Sequence, residues 1–480
     1  MQHYDIVIIG AGLSGIDAAC HFKMHCPEKH FRIFEARERL GGTWDLFKYP
    51  GIRSDSDMHV FSYSFKPWTY HKSISDAATI LKYLNETAQE YDVAQHIEYN
   101  SPINKIVWSS TQKQWVVYGN NEGNTIKVSC NFLMICTGYY DYDQGYIPDF
   151  KGLDTFKGQF IHPQKWSKDI AYENREVIVI GSGATAVTLI PSLAEKTKHI
   201  TMLQRSPSYI LSQPLYDPFA KIVHTLLPDK IAHKLARWKN ILRDMYLYKM
   251  SRKNPAGVKK YVKKQIRKVL GKEYAIDTHF SPKYNPWDER LCSVPDNDLF
   301  HAIKAGKCTV VTDHIDTFTK NGIRLQSGKE LRADLVISAT GLQLKLAGGV
   351  QVYLDDELVD LSTKLNYKGS MLQDLPNLAA IVGYTNAAWT LKADLACHYV
   401  CRLLNYMDAN NYKACVPKRT ENNMTTVPII NFTSGYIQRA LDKLPKQGDQ
   451  HPWRLNQNYI RDRKILKRDK INDASLHFER

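Results

Sequence analysis

Two glycine-rich loops, each placed between an apolar segment and a helix-like segment, constrain the fold of this chain more than any other feature. The first is Gly10-Ala11-Gly12-Leu13-Ser14-Gly15, and the second is Gly181-Ser182-Gly183-Ala184-Thr185-Ala186. Such a loop brings the backbone and a helix N-terminus up to a pyrophosphate. The sequence therefore predicts an α/β protein with two Rossmann-like dinucleotide-binding domains.

The first loop has the neighbours that a dinucleotide site requires. Residues 4–9 form an apolar segment typical of a buried parallel strand, and residues 31–34 form the next predicted strand. Glu35 ends that strand, where a carboxylate can accept the hydroxyl groups of a ribose. A strand, a helix and an acid at these spacings indicate a nucleotide site much more specifically than the glycines alone.

The second loop has a different partner at the corresponding position. After the predicted strand of residues 199–204, the chain carries Arg205 where an acid would hold a free ribose. A guanidinium suits the 2′-phosphate of NADP, and Gln204 and Ser206 flank it. The second site is therefore predicted to bind NADP rather than NAD.

Between the loops lies the pattern F-x-G-x-x-x-H-x-x-x-W, formed by Phe156, Gly158, His162 and Trp166. It resembles the signature of the Baeyer–Villiger monooxygenases, which are class B flavoprotein monooxygenases. Related flavin-containing monooxygenases carry Tyr or Phe at the last position. The resemblance runs through most of the chain and implies FAD in the first site and NADPH in the second. It also implies that His162 couples NADP binding to domain movement and is not a base.

The loops and the resemblance together predict the residues that contact the two cofactors. A second glycine pair precedes residues 43–46 and is implied to lie along the flavin. The expected FAD contacts are Gly10, Gly12, Ser14, Gly15, Glu35, Thr43, Trp44, Asp45, Leu46, Arg53, Ser54, Asp55 and Ile103. The expected NADP contacts are Gly181, Ser182, Gly183, Ala184, Thr185, Ala186, Val187, Thr188, Gln204, Arg205 and Ser206.

The resemblance also implies two catalytic residues, Arg290 and Asp55. A guanidinium would stabilise the negative charge that develops during oxygen transfer to a carbonyl group, and a nearby carboxylate would position it. The alternative is a structural salt bridge between Arg290 and Asp288 or Glu289. Many relatives carry a Lys where this chain has Glu289, which weakens the expected NADP contact on that side.

Two similar segments predict the domain organisation. Residues 131–138 and residues 331–341 both end in Thr-Gly, as expected of paired crossings between two domains. The predicted FAD-binding domain is then discontinuous, formed by residues 1–140 and 342–480. The NADP-binding domain of residues 141–341 is inserted into it and carries a basic helical insertion at about 215–280.

The charge of the chain is concentrated in that insertion. The net charge is +15, and residues 229–272 contain 15 Lys or Arg against 2 Asp. This distribution argues against nucleic acid as a partner. Two amphipathic helices with basic outer faces are predicted, the first with an apolar face of Ile231, Leu235, Trp238, Ile241, Leu242, Met245 and Tyr246. Two interpretations stay open: a helical cap with a solvated face, or contact with anionic lipid.

The remaining composition narrows the protein class. The N-terminus lacks the pattern of a signal peptide, and no apolar run is long enough to span a bilayer. Nine scattered cysteines, without a C-x-x-C motif, argue against a disulfide framework, a thiol redox pair and a zinc site, so no metal is expected. We expect a cytoplasmic protein, with peripheral contact at the inner face of the cell membrane as the finer alternative; the oligomeric state stays open.

These observations predict an FAD-containing, NADPH-dependent Baeyer–Villiger monooxygenase. It would insert one oxygen atom of O2 into ketones to give esters and would also oxygenate thioethers or thioamides at sulfur. The first alternative is a flavin monooxygenase acting on nitrogen or sulfur. The second, from another class, is a nucleotide-dependent binding protein with a basic patch facing a membrane.

Overall fold

The computed structural model describes residues 1–70, 72–289, 291–420, 423–430 and 432–480. Its strands, in chain order, are β1 (Gln2–Ile9), β2 (Phe31–Phe34), β3 (Ile97–Glu98), β4 (Ile103–Ser109), β5 (Gln114–Asn121), β6 (Asn124–Ile135), β7 (Tyr140–Gly145), β8 (Gln159–Ile161), β9 (Glu176–Ile180), β10 (His199–Gln204), β11 (Ile210–Gln213), β12 (Cys292–Pro295), β13 (Cys308–Thr312), β14 (Ile315–Thr319), β15 (Gly322–Leu325), β16 (Glu330–Arg332), β17 (Leu335–Ser338), β18 (Leu342–Leu344), β19 (Gln351–Leu354), β20 (Glu357–Leu358), β21 (Asn366–Tyr367), β22 (Met371–Leu372), β23 (Leu378–Ala380), β24 (Ala414–Pro417), β25 (Thr426–Pro428), β26 (Lys446–Gly448) and β27 (Leu476–Glu479).

The α-helices differ widely in length, and the longest belong to the insertion and to the C-terminal third of the chain. They are α1 (Leu13–His25), α2 (Thr43–Leu46), α3 (Met58–Phe61), α4 (Ala77–Glu90), α5 (Ala184–Leu193), α6 (Pro218–Leu226), α7 (Asp229–Lys253), α8 (Pro255–Leu270), α9 (Ile276–His279), α10 (Asp298–Lys304), α11 (Trp389–Ala409), α12 (Gly435–Gln438) and α13 (Tyr459–Lys467). Among the helices of the described residues, none is long and apolar enough to cross a membrane.

The larger sheet is built from both ends of the chain. Its strand order is β20-β19-β4-β5-β6-β1-β2-β3, and β23 adds in parallel to the end of β6. Strand β1 pairs in parallel with β2 and β6, which places the first glycine loop at the carboxyl edge of the sheet. Helices α1 and α11 pack together against this sheet. The first and last parts of the sequence thus share one core.

The smaller sheet repeats this arrangement with the middle of the chain. Its order is β13-β10-β9-β17-β8, and its paired strands are all parallel. The strand β9 precedes the second glycine loop as β1 precedes the first. The two-sheet α/β fold agrees with the predicted pair of Rossmann-like units.

The two crossings between the sheets lie side by side. Strand β7 follows the Thr137-Gly138 end of the first crossing, and β18 follows Thr340-Gly341. The two strands pair in antiparallel register, with Leu342 opposite Gly145 and Leu344 opposite Tyr140. A double strand therefore joins the two units, because the middle segment leaves and re-enters the larger unit at the same place.

The basic insertion is helical, but its first long helix buries a different face from the predicted one. Trp238, Ile241 and Met245 of α7 pack inward as expected. The predicted core residues Ile231, Leu235, Leu242 and Tyr246 are instead 43–62 % exposed. The buried side of α7 carries Ala232, His233, Ala236, Arg237 and Asn240. The prediction of the apolar face was wrong for these four residues.

The reason lies in the neighbours of α7. Helix α6 packs on the side of Ala232 and Ala236, where small side chains allow close approach. Arg237 is buried because its Nη1 donates to the carbonyl oxygens of Val60 and Ser62, at 3.0 and 2.5 Å, at the end of helix α3. These bonds offset part of the cost of burying the cation, although its Nη2 atom has no hydrogen-bond partner among the described residues.

Candidate functional site

The first glycine loop joins β1 to α1 with almost no space to spare. A Cβ atom on Gly15 would lie 1.9 Å from the carbonyl oxygen of Gly10, so only glycine lets the helix pack onto the turn. Gly10 itself has a φ of +102°, which favours glycine. Gly12 caps α1 without a side-chain hydrogen bond, and its amide end faces the second glycine pair. These features form a helix N-terminus suited to a phosphate.

Glu35 is held in place by the loop that it is predicted to serve. Its Oε2 accepts a hydrogen bond from the amide of Ala11 at 2.7 Å, and its Oε1 accepts one from the amide of Arg37 at 3.0 Å. Burial raises the pKa of Glu35, although these two bonds lower it. The carboxylate keeps further lone pairs for a ribose hydroxyl group, since each oxygen can accept two hydrogen bonds.

The second glycine pair, Gly41-Gly42, lies directly against the first loop. The amide of Gly41 donates to the carbonyl oxygen of Ala11 at 3.0 Å. A Cβ atom on Gly42 would lie 3.1 Å from the Cα atom of Gly12, so the two loops approach with backbone facing backbone. Helix α2 begins immediately after the pair. The pair therefore extends the nucleotide site along one wall, as the resemblance implied.

These loops border a cavity of about 550 Å3, a size typical of small-molecule sites. Predicted residues from both nucleotide sites line the same cavity. They are Gly10, Gly12, Ser14, Glu35, Thr43, Trp44, Arg53, Ser54, Asp55 and Ile103 from the first set, with Ala184 and Thr188 from the second. The remaining predicted contacts do not line it, and their surroundings explain why.

The side chains of Asp45 and Leu46 contact other parts of the protein and do not line the cavity. Asp45 accepts hydrogen bonds from Arg37 at 2.6 Å and from Lys48 at 2.9 Å, and Arg39 adds a third at 3.3 Å. Burial raises the pKa of Asp45, but the bonds from Arg37 and Lys48 bring it below its ordinary value. Leu46 packs against the core of the smaller sheet. Their side chains stabilise the loop, and the contact of these two residues with FAD stays a prediction.

The second glycine loop repeats the geometry of the first. Gly181 has a φ of +132°, and a Cβ atom there would lie 2.4 Å from the carbonyl oxygen of Ala339. Gly183 caps α5 without a side-chain hydrogen bond, and a Cβ atom there would meet nothing within 4 Å. The helix N-terminus is thus open on the side where a pyrophosphate would approach. Ser182 is turned inward, with its hydroxyl group 2.8 Å from that of Ser208.

Three of the predicted NADP contacts have buried side chains, and a fourth is exposed. Ala186 and Val187 are buried in the core of the smaller sheet, so their side chains cannot contact a cofactor. Gln204 is also buried, and its Nε2 donates to the carbonyl oxygen of His279 and to Thr312, both at 2.8 Å. Cofactor contact by these three residues stays a prediction. Arg205 is exposed at the end of β10, free to meet a 2′-phosphate.

A loop from the larger unit reaches the second helix. Residues 49–55 of this loop include Tyr49, which is buried in one cluster with Ala186 and Val187 of α5. A Cβ atom on Gly51 would lie 1.8 Å from the Oγ atom of Ser192, so the loop rests on α5. Ser54 and Asp55 follow and line the cavity. The loop that the resemblance linked to the flavin thus bridges the two glycine helices.

Only one of the three nitrogen atoms of the Arg53 guanidinium has a partner among the residues that the structure describes. Its Nη1 forms an ion pair with Asp298 at 2.6 Å, while its Nε and Nη2 atoms are buried and have no hydrogen-bond partner. Orphaned donors in a buried guanidinium are costly unless something else accepts them. Because Arg53 lines the cavity, an anionic or carbonyl-bearing ligand can accept these bonds.

The four signature residues lie outside the cavity and shape the linker region. The aromatic ring of Phe156 covers Gly158, where a Cβ atom would lie 2.4 Å from the ring. Trp166 packs beside Tyr172, with ring centroids 6.0 Å apart. His162 is buried beside the double strand that joins the units. None of the four is among the residues that line the cavity, and their coupling role stays a prediction.

Arg290, the predicted catalytic arginine, lies outside the described residues. Its neighbours are described, and both acids of the alternative salt bridge have other cations nearby. Asp288 pairs with Arg252 at 2.7 Å. Burial raises the pKa of Glu289, and the charge of Arg205 lowers it in part. Downstream, Ser293 on β12 lines the cavity.

Several cavity residues lie on segments that are far apart in the sequence. Trp389 donates from Nε1 to the Oγ atom of Ser14 at 2.9 Å and stacks on Tyr139 at 5.1 Å. Lys345 brings a cation to the cavity and pairs with Asp143 at 2.7 Å. These contacts join segments more than 200 positions apart, and a local sequence pattern does not reveal them.

The chain matches known families over most of its length. A model described as flavin-binding monooxygenase-like matches residues 3–384. The chain is 49% identical over 478 residues to "FAD-containing monooxygenase EthA" of Mycobacterium tuberculosis, covering 99% of this chain and 98% of that protein. It is 46% identical over 484 residues to "Putative FAD-containing monooxygenase MymA" of the same species, covering 99% and 98%. It is 45% identical over 482 residues to "Probable FAD-binding monooxygenase AlmA" of Acinetobacter baylyi, covering 100% and 97%.

Solved structures resemble the fold at much lower identity. An oxidized steroid monooxygenase bound to NADP aligns with a TM-score of 0.77 and 19% identity, covering 100% of both chains. A structure of OTEMO in complex with FAD and NADP aligns with a TM-score of 0.75 and 21% identity, covering 99% of both. Cyclohexanone monooxygenase aligns with a TM-score of 0.70 and 19% identity, covering 87% of both. At these identities the likeness concerns the fold.

Proposed function

The chain belongs to the flavin-binding monooxygenase-like family, and on this premise we propose that it is an FAD-containing, NADPH-dependent Baeyer–Villiger monooxygenase. A ketone, O2, NADPH and a proton would give an ester, water and NADP+. Thioethers or thioamides would be oxygenated at sulfur as a second activity. The observation that carries the proposal is the convergence of both glycine helices on one cavity.

The residues present fit both cofactors. In the first site, the open end of α1, the Gly41-Gly42 pair and the carboxylate of Glu35 suit a pyrophosphate and a ribose. In the second, the open end of α5 and the exposed Arg205 suit NADPH. When bound, FAD reduced by NADPH would supply the electrons that activate O2, and one oxygen atom of that O2 would be transferred to the substrate.

We assign the protein's part in the chemistry to two side chains. Asp55 lines the cavity, and Arg290 follows from the family resemblance alone. A guanidinium beside the reacting carbonyl group would stabilise the oxyanion that forms on it. The carboxylate of Asp55 would orient that guanidinium and tune its field. The orphaned donors of Arg53 offer further hydrogen bonds to a ligand in the same cavity.

The reaction is tested with the purified, flavin-loaded protein, NADPH, labelled O2 and phenylacetone. Benzyl acetate carrying one labelled oxygen atom is the expected product by mass spectrometry. If an added thioether gives its sulfoxide while the ketone gives no ester, the protein is a heteroatom oxygenase. If neither product forms, the proposed reaction is wrong for these substrate classes, and the peroxide yield then reports whether O2 is consumed without transfer.

A variant tests the assignment of Arg290. Arg290→Ala should lower ester formation by roughly 100-fold or more, since one lost charge-stabilising donor has about that effect. The rate of flavin reduction by NADPH should stay the same. The matched control is Arg267→Ala, which removes an exposed arginine of the same charge from α8. An unchanged rate of ester formation in Arg290→Ala would show that Arg290 has no catalytic role.

The organisation of the chain completes the proposal. We propose a discontinuous FAD-binding domain of residues 1–140 and 342–480 around an NADP-binding domain of residues 141–341. Strands β7 and β18, which pair between the two sheets, support these boundaries. We also propose a cytoplasmic enzyme that contacts a membrane peripherally through its helical insertion.

A further inference from the structure

The first long helix of the insertion presents an apolar ridge to solvent. Ile231, Leu235, Leu242 and Tyr246 are 51%, 43%, 50% and 62% exposed. At about 100° per residue, these four positions of α7 fall within one narrow stripe, so they form a single ridge. Half-buried Trp238 lies on the same stripe between them. We call these four residues the apolar ridge.

Helix α6 adds a second apolar row beside the ridge. Phe219, Ile222 and Leu226 are 39%, 56% and 73% exposed and recur at helical spacing. The two helices are held together by a small cluster of their other faces, which includes Val223 and Ala232. Lys239 of α7 lies 5.2 Å from the ring of Phe219, so the two apolar rows are adjacent.

This concentration of exposed apolar side chains is confined to one part of the molecule. Of the 16 large hydrophobic residues exposed in the described ranges, 11 lie between residues 216 and 261. Single exposed apolar residues are normal, but a contiguous patch marks a binding surface. The exposed apolar side chains of α6 and α7 therefore have the character of a binding surface.

Charge identifies the kind of occupant. Lys230, Lys234, Lys249 and Lys253 of α7 are exposed, and none has an acidic partner within the part of the chain that the structure describes. Residues 229–272 carry 15 cationic against 2 acidic side chains. A second copy of this chain would bring the same cations together across a symmetric interface. An anionic bilayer offers both an apolar interior and complementary charge.

We propose that the apolar ridge and the α6 row insert into the interfacial region of an anionic lipid bilayer, with the four lysines on the phosphate headgroups. This geometry is that of a helix lying in the membrane plane, and it needs no spanning segment. It reverses the sequence-based expectation, because the four ridge residues were predicted to be core and only the cations were expected to face lipid. The apolar side chains now make the principal contact.

A face of α7 next to the apolar ridge leads toward the large cavity. Ile241 and Met245 line a small cavity together with Ala387, and Ala387 also lines the large cavity. At about 100° per residue, Met245 lies roughly 40° around the helix from Ile231, so the ridge and the small cavity occupy neighbouring faces of α7. Resting on the proposed function, we infer that the substrates are ketones apolar enough to partition into lipid and that they reach the site past α7.

Vesicle binding tests the surface without any catalytic readout. The full-length, flavin-loaded protein should sediment with vesicles of phosphatidylcholine and phosphatidylglycerol and much less with phosphatidylcholine alone. The triple variant Ile231→Ser, Leu235→Ser and Leu242→Ser should bind vesicles at least about tenfold more weakly, because each substitution removes apolar area that the bilayer would bury. The matched control replaces equally exposed residues elsewhere, with Ile147→Ser, Leu358→Ser and Ile460→Ser.

A charge series separates insertion from simple adsorption. Lys230→Gln, Lys234→Gln and Lys249→Gln should weaken binding to the anionic vesicles by roughly fivefold per lysine. The control changes three exposed lysines away from the insertion, with Lys157→Gln, Lys320→Gln and Lys329→Gln. Absence of vesicle binding by the unmodified protein, or equal loss in ridge and control variants, overturns the proposal. The proposal is also overturned if the unmodified protein is an oligomer in solution and only the ridge variant is a monomer.

The substrate part is tested separately from the reaction itself. The ridge variant should turn over a long-chain ketone embedded in vesicles about tenfold more slowly than the unmodified protein, and soluble phenylacetone at the same rate. Equal slowing for both ketones would refute entry from the bilayer. If the protein forms no ester from any ketone but binds vesicles through the ridge, the surface proposal stands and the proposed reaction fails.

Discussion

His162 joins the two crossings between the sheets by donating from Nε2 to the carbonyl oxygen of Gly341 at 3.0 Å. Its Nδ1 accepts the amide proton of Gln164 at 3.2 Å, so the ring is the neutral tautomer with hydrogen on Nε2. Burial lowers the pKa of His162, although the bond to Gly341 raises it in part. Gly145 leaves room for the ring, since a Cβ atom there would lie 2.0 Å from it.

Loss of this ring should uncouple the two units. His162→Ala removes both hydrogen bonds and leaves a gap beside β7, at a cost of about 1–3 kcal/mol. We expect flavin reduction by NADPH to slow by roughly tenfold while FAD affinity is unchanged, because the ring is remote from the FAD loop. Anaerobic stopped-flow bleaching of the flavin measures this. His301→Ala, which removes an exposed histidine, is the control; an unchanged reduction rate in His162→Ala would show that the linker is not coupled.

Acid should destabilise the contact between α3 and the insertion. The rings of His59 and His233 lie 6.5 Å apart in the interior. Burial lowers the pKa of His59 to about 4 and that of His233 to about 3. An unfolded histidine has a pKa near 6.5. As pH falls below about 6.5, the unfolded chain binds protons that the folded chain does not, so stability declines toward pH 4.

The carboxyl group of Asp57 opposes the loss of stability at low pH and reduces its size. Burial raises the pKa of Asp57 to about 6, so this carboxyl group contributes stability as pH falls from 6 toward 4. The two histidine shifts together are larger, and the net loss should be of the order of 3 kcal/mol. Thermal unfolding between pH 7 and pH 4 measures it. Replacing His59 and His233 with Gln should flatten the dependence, while replacing exposed His30 and His301 should not.

The carboxylate of Glu35 should be required for FAD retention. Its two backbone hydrogen bonds fix the first glycine loop, and it is positioned to accept a ribose hydroxyl group. Glu35→Gln exchanges one acceptor oxygen for a donor, which meets an amide donor and repels it. We expect FAD to bind roughly 10- to 100-fold more weakly, measured by flavin fluorescence during titration of the apoprotein. Glu38→Gln, three positions on, should have no effect; equal FAD affinity in both variants would contradict the assignment.

The local parts of the site could be predicted from the sequence because their causes are local. A glycine whose Cβ atom would lie 1.9 Å from a carbonyl oxygen, as at Gly15, is fixed by the geometry of one turn. Glu35 and Arg205 end strands that follow their loops at a regular distance. The bond of Trp389 to Ser14 could not be predicted, because it spans 375 positions of sequence and depends on the packing of α11 against α1.

The exposed face of α7 shows the limit of periodicity. A period of 3.6 residues groups Ile231, Leu235 and Leu242 on one face but does not say whether a partner covers that face. The buried side is decided by α6 and by the carbonyl oxygens around α3 that Arg237 binds. Arg237 is buried while Leu235 and Leu242 are exposed, because the carbonyl oxygens that bind the guanidinium come from a distant part of the chain. A short stretch of sequence around α7 does not contain them. The bonds of Gln204 escape a local pattern for the same reason, since its Nε2 atom donates to the distant His279 and Thr312.

Arg205 should decide the choice between NADPH and NADH. It is exposed at the end of β10, one residue beyond the buried Gln204, and it offers a forked donor where a 2′-phosphate would lie. Arg205→Ala should raise the KM for NADPH by about 10- to 100-fold, because a charge-assisted hydrogen bond contributes about 1.5–3 kcal/mol. The KM for NADH, which lacks the phosphate, should stay the same, and so should kcat with saturating NADPH. Steady-state oxidation of both nucleotides at varied concentration gives these constants. Lys304→Ala, which removes an exposed cation of helix α10, is the control. Equal loss for NADH in Arg205→Ala would mean that Arg205 supports the fold of the loop and does not bind the phosphate.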